Sequence, residues 1–241
     1  MDKITELRQL YEQCRRDGIP VDGHVAAIAI QSVGDYASIR GDYYNSLFEA
    51  FSGYLSGNVG SSTGQNEAKT ATATAFLDAF ETGWTANQGE GATYDPDPED
   101  SDWLANRQEQ EFAFLAGLFA TMEAMRKDTE EPITDDEITQ FATDRANGYC
   151  ATLDAVYAEG KLRSRKNVML EFTGKNGSPD YACQKNNGTC VRLMGQWHRA
   201  KWWIGHGLVP YMGNPNYTCG GWECEHFLQD KSGNRWTGVQ E

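Results

Sequence analysis

Helical spacing of apolar residues over most of the first 160 positions, a net charge that changes sign near residue 160, and a cysteine and histidine cluster confined to the last third together predict a mainly α protein. The expected architecture is a helical bundle body followed by a small C-terminal α+β knuckle stapled by zinc. At 241 residues the chain is long enough to bury a substantial core, either as one domain or as a helical domain with an appendage. Residues 1–160 hold 29 acidic against 10 basic side chains, whereas residues 161–241 hold 6 against 11. The division is therefore an acidic helical body, 1–160, and a basic, Trp-rich, Cys/His zinc-binding domain, 161–241.

Along the body, Ile4, Leu7, Leu10, Tyr11 and Cys14 share one helix face over residues 2–17, and Asp17-Gly18-Ile19-Pro20 ends that pattern. From His24 to Leu55 the apolar positions keep the helical period, with Gly34 and Gly41 expected to kink or split the helix. Residues 56–64, rich in Gly and Ser, read as a loop. A third helix over 65–84 rests on Ala68, Ala71, Ala75, Phe76, Ala79 and Phe80 lying along one side, because its threonines are middling helix formers. Residues 87–102, with Gly89, Gly91, Pro96 and Pro98 among acids, read as an exposed loop.

Residues 100–126 give the strongest helical pattern, with acids at the start, Arg126 and Lys127 at the end, and Trp103, Phe112, Leu115, Phe119 and Met122 inward. Thr134-Asp135-Asp136-Glu137 has the form of a capping box and opens a helix that carries Ile138, Phe141, Ala142, Tyr149, Leu153 and Val156 to about Gly160. Lys161–Lys166 is expected to be the basic connection to the tail, and Val168–Phe172 has the composition of a short strand.

An acidic body repels phosphates, which argues against a free-standing nucleic-acid-binding role for residues 1–160. The tail instead combines positive charge with five of the seven tryptophans, Trp197, Trp202, Trp203, Trp222 and Trp236, as expected of a compact aromatic core or a docking surface. The start of the chain is charged and amphipathic rather than signal-like, and no apolar run has the length to span a bilayer. The expectation is a protein made in a reducing cytoplasm, where clustered cysteines bind metal more often than they form disulfides.

Cys183 and Cys190 flank a polar, Gly-containing turn, and Cys219-Gly220-Gly221-Trp222-Glu223-Cys224-Glu225-His226 supplies a second set of donors on a tightly folding backbone. Thiolates and an imidazole converging at tetrahedral positions suit Zn2+. The five candidates are thus Cys183, Cys190, Cys219, Cys224 and His226, competing for four places. A zinc with four protein ligands has no open position and is structural. Cys14 and Cys150 read as small buried apolar residues. His198 and His206, which flank Trp202-Trp203-Ile204, read as histidines hydrogen-bonded beside an aromatic core, and His24 carries no assigned role. Asp95–Asp102 is expected to be solvated loop, too mobile to place a catalytic carboxylate pair.

The order Cys183, Cys190, Leu193-Met194-Gly195, Trp202, Leu208-Val209-Pro210, Gly213 and the closing Cys219–His226 block resembles the C-terminal end of the Mu gpF-like family, the minor head or head morphogenesis proteins of tailed bacteriophages. The resemblance covers about residues 165–236. Glu225 stands where the family often has Arg, and the first cysteine pair is wider than usual.

The resemblance implies a virion structural protein that acts in capsid or portal assembly, DNA packaging or delivery. Its partners would be other phage head proteins, portal or major capsid protein. The basic tail would reach packaged DNA, and no membrane would be involved. It implies no enzymatic activity. Two alternatives remain: a metal-dependent nuclease using His198, Asn216 and His226, and a zinc-dependent nucleic-acid-binding adaptor in which Lys161, Arg163, Arg165 and Lys166 meet phosphates.

Overall fold

The structure is a computed structural model that describes residues 36–86, 88, 92–128, 132–174, 188–211, 214, 216–217 and 225–237. The expected helix over 2–17, with Cys14, His24 and Gly34, lies outside the described residues. Among the described residues four long helices form the body: α1 (Tyr36–Leu55), α2 (Ser61–Thr85), α3 (Pro98–Asp128) and α4 (Asp135–Ser164). After α4 come β1 (Met169–Thr173), α5 (Gly188–Leu193), β2 (Trp197–Arg199), α6 (Ala200–Gly205) and β3 (Phe227–Gln229). The protein is mainly helical with one small antiparallel sheet in the order β2-β1-β3.

The body follows the helical period closely. Leu47, Phe51, Phe76, Phe80, Leu115, Met122 and Leu153 are fully or almost fully buried in a common core. Rings interlock across helices, with Phe51 edge-on to Phe119 at 5.9 Å and Tyr43 edge-on to Phe76 at 6.2 Å. The capping box at the start of α4 is formed: Glu137 N donates to Thr134 Oγ1, and the Glu137 carboxylate accepts from Thr134 N. Helices α2 and α4 approach so closely that a Cβ on Gly83 would collide with the Tyr157 carbonyl, and one on Gly160 with the Phe80 carbonyl. Only a residue without a side chain permits that crossing.

Three expectations about the body need correction. Gly41 does not split α1, which runs unbroken from Tyr36 to Leu55; the position faces open space, and its cost is helix propensity, about 1 kcal/mol. The loop ahead of α3 is shorter than expected, since Asp97 accepts the Asp100 N–H at 3.0 Å and Pro98 begins the helix, an arrangement that suits Pro at a first helical position. Lys161–Ser164 is not a linker but the last turn of α4, with Lys161, Leu162 and Arg163 buried.

The small module grows from that turn. Its sheet register pairs Leu170 with His198 and Phe172 with Leu228. Leu170, Phe172 and Leu228 therefore point to one side. There they meet Leu162, Cys190, Leu193, Trp203, Val209 and Tyr217 in a second core. The strand expected at 168–172 is β1, displaced by one residue.

Candidate functional site

Phe172, at the centre of β1, gathers the module around itself. Trp203 stacks on it at 5.9 Å, Tyr217 at 6.3 Å and the His226 imidazole at 5.1 Å. Polar bonds fix the Trp and Tyr rings. Trp203 Nε1 donates to the Leu170 carbonyl, and Tyr217 OH donates to the Leu208 carbonyl at 2.7 Å. The wholly buried Asn214 organises the loop between them, its amide donating to the carbonyls of Gly207 and Val209 while its oxygen accepts from Asn216 N.

Of the five ligand candidates, Cys190 and His226 fall in this module. Cys190 sits on α5 and is 1 % exposed; His226 directly precedes β3 and is 3 % exposed. Burial lowers the His226 pKa, opposed by the Glu225 carboxylate, and the neutral imidazole so favoured is the form that binds metal. Cys183, Cys219 and Cys224 lie outside the described residues. Among the described residues no three His, Cys, Asp or Glu side chains form a group that could hold a metal ion. Cys190 and His226, each buried in this module, are residue types that zinc takes as ligands, and residues 219–224 lie just ahead of His226 in the sequence.

His198 and His206 do something different from ligation. They stack on opposite faces of the Trp202 indole, at 3.7 and 4.1 Å between ring centroids. His206 Nδ1 bonds the Trp202 carbonyl oxygen and His198 Nε2 pairs with Gln196 Oε1. Burial, reinforced by the nearby His206, lowers the His198 pKa. Asn216, the third member of the nuclease alternative, donates its amide to the Gly207 carbonyl. Cys150 is buried in the bundle as expected, and burial raises its thiol to about 11. Of the tryptophans, Trp203 and Trp236 are buried and Trp197 stands exposed; Trp222 lies outside the described residues.

A second constellation was not legible in advance. Asp100, expected in a solvated loop, is completely buried, and Arg163 reaches it with Nη1 at 2.8 Å while holding Glu159 through Nε at 3.0 Å. Lys166 Nζ bridges Asp97 at 2.7 Å and Asp100 at 3.0 Å, and the Arg163 guanidinium lies 4.7 Å over the Trp103 ring. Burial raises the Glu159 pKa, and Arg163 opposes that shift. A cavity of about 640 Å³ opens above the network, bordered by Trp84, Asp95, Asp97, Arg165, Lys166 and Asn167.

These charges largely satisfy one another, so the network acts as an ionic joint between the start of α3, the end of α4 and the turn that leads into β1. Lys161 is similarly committed, donating to the Arg235 carbonyl at 3.2 Å. Arg163 and Lys161 are thus unavailable to phosphates.

Fold and site together define a helical-bundle protein with a small sheet-and-loop module built on a buried aromatic, Cys and His core. No family model, curated protein or solved structure matches the chain.

Proposed function

We propose that the protein is a structural component of a tailed-phage virion, a minor head or head morphogenesis protein acting in capsid or portal assembly, DNA packaging or delivery. The observation that carries this is the closing Cys219–His226 block, whose last member, His226, stacks on Phe172 in the same module core that buries Cys190. A zinc bound there would staple the short segments of the module, and its binding would be coupled to their folding. The acidic body would contact the portal or the major capsid protein, and the basic module would face packaged DNA. The role is non-enzymatic.

Particles of the phage that encodes the chain should contain it in few copies when purified and analysed by mass spectrometry. Its absence from full and empty heads alike would overturn the reading. Purified protein should carry about one zinc per chain, and chelation or Cys224→Ser should leave the helical circular dichroism in place while red-shifting tryptophan emission from the module. Metal-free protein with a compact module would remove zinc from the proposal.

A further inference from the structure

The face of the sheet opposite the module core is built from alternating residues that the core does not use. Glu171 of β1 lies between Trp197 of β2 and Gln229 of β3, and the bridge from Gln229 to Arg235 continues that row by one position. The row therefore runs Trp197, Glu171, Gln229, Arg235, about 14 Å across at the usual strand spacing. Trp197 is one of the few exposed large apolar side chains, 36 % accessible. Arg199, two residues along the same strand and so on the same face, is exposed, with Nη1 donating to Asn167 Oδ1 at 3.3 Å. At the far edge the Arg235 guanidinium lies 3.8 Å over the Phe227 ring. Between these edges Gln229 Nε2 donates to Glu171 Oε2 at 2.9 Å, leaving the other carboxylate oxygen as an acceptor.

We propose that this outer sheet face binds single-stranded DNA, with Trp197 stacking on a base, Arg199 meeting the adjoining phosphate and Glu171 accepting from an exocyclic amine of the next base. An exposed aromatic flanked by arginine is the arrangement that holds unpaired bases, because every base offers a π face while the backbone needs a cation. A carboxylate beside it discriminates, since cytosine presents an amine donor where thymine presents a carbonyl. On this face Arg199 and Arg235 place two cations beside the single Glu171 carboxylate, a local balance that admits a phosphate, whereas the acidic body would repel it. Duplex DNA hides its base faces and would not fit the platform. The choice of DNA over RNA rests on the virion reading; the stacking chemistry does not.

Fluorescence anisotropy with labelled 12-mers of deoxycytidine, thymidine and cytidine, using the full chain at about 20 mM salt, tests this directly. The deoxycytidine oligomer should bind, more tightly than the thymidine one, with a log–log salt slope of roughly −0.7 for each phosphate held. Trp197→Ala should weaken binding at least tenfold and Arg199→Ala several-fold, while both variants, altered at exposed positions, keep the wild-type melting temperature. Absence of binding at high micromolar protein, or unchanged binding by Trp197→Ala, would overturn the site. Binding of the RNA oligomer alone would overturn the assignment to DNA and leave the question of virion location to the particle analysis.

Discussion

The bundle and the module both bury aromatic rings, but they hold them by opposite means. In the bundle, Phe51, Phe76, Phe80 and Phe119 come from long helices whose own backbone bonds are satisfied, and ring packs on ring. In the module, Phe172 collects Trp203, Tyr217 and His226 from three short segments that lie 31 to 54 residues further along the chain, and the first two are pinned by bonds to the carbonyls of Leu170 and Leu208. Loss of conformational entropy is met in the first case by continuous apolar burial and in the second by polar ties, for which a metal would be a natural supplement. The ionic joint around Arg163 lies where the two strategies meet.

The largest effect is expected at that joint. Arg163→Met removes the cation paired with Glu159 and one of the two paired with Asp100, leaving Lys166 on Asp100, while keeping much of the packing on Trp103; leaving a buried carboxylate unpaired costs about 3–5 kcal/mol. Urea denaturation should show that loss at neutral pH. Because the stranded groups are carboxylates, acidification should recover part of it, and Arg163→Met combined with Asp100→Asn and Glu159→Gln should recover more. A loss below 1 kcal/mol would mean the network does not join the two regions.

Next is the crossing that only the bundle has. Gly160→Ala drives a methyl group into the Phe80 carbonyl, and Gly83→Ala does the same at Tyr157, so each helix must shift against its neighbour. Overpacking of this kind costs about 1–3 kcal/mol or more. Gly41→Ala, at open space in the middle of α1, should instead stabilise by up to about 1 kcal/mol. Equal melting temperatures for the three variants would show that the close approach of α2 and α4 contributes nothing.

A pH measurement then separates the clamp on the C-terminal hairpin from the rest. Burial lowers Lys161 from 10.5 to about 8, opposed by Asp230, so the folded protein binds fewer protons here than the unfolded chain between about pH 8 and 10.5. Stability contributed by this group must therefore rise with pH across that window. Cys150 works the other way, because its raised thiol makes the folded state the more protonated between about pH 9 and 11. The comparison of wild type with Lys161→Met isolates the lysine: the variant should gain up to roughly 3 kcal/mol at pH 7 and lose that advantage toward pH 10.5. A difference independent of pH would place the lysine in water.

The same contrast explains what could be read from the residues. Helix periodicity is local, so the apolar faces of α2, α3 and α4 are visible in windows of a few turns, whereas the continuation of α4 to Ser164, which sets Glu159 and Arg163 at i and i+4, is hidden by the basic composition of residues 161–166. Asp100 was misread as solvated because its burial depends on Arg163, 63 residues away. Three-residue strands such as β2 and β3 carry too little alternation to declare themselves, and their pairing is set by β1. The histidines flanking Trp202 were correctly given to an aromatic cluster, although the two-sided stack depends on the turn into α6. Of the five candidate metal ligands, Cys190 and His226 lie among the described residues, both beside Phe172 or in the core around it.

The smallest expected effect tests whether the bundle is as locally determined as this implies. At the start of α4, Thr134 Oγ1 accepts from Glu137 N at 3.3 Å and the Glu137 carboxylate accepts from Thr134 N at 2.9 Å, both at the exposed surface and far from the module. The hydrogen bonds from Thr134 also hold the Glu137 pKa below its ordinary value. Thr134→Ala removes the side-chain acceptor and should cost about 1 kcal/mol, with α4 fraying by a turn in amide exchange and tryptophan emission from the module unchanged. The same substitution also removes the bond that Thr134 Oγ1 donates to the Glu137 carboxylate at 2.8 Å, so that part of the deficit should shrink as acid protonates Glu137 and wild type loses that bond too. Should the variant disturb the module signal instead, the end of α4 that carries Leu162 and Arg163 is coupled to its beginning. The two regions would then be one cooperative unit despite their different interiors.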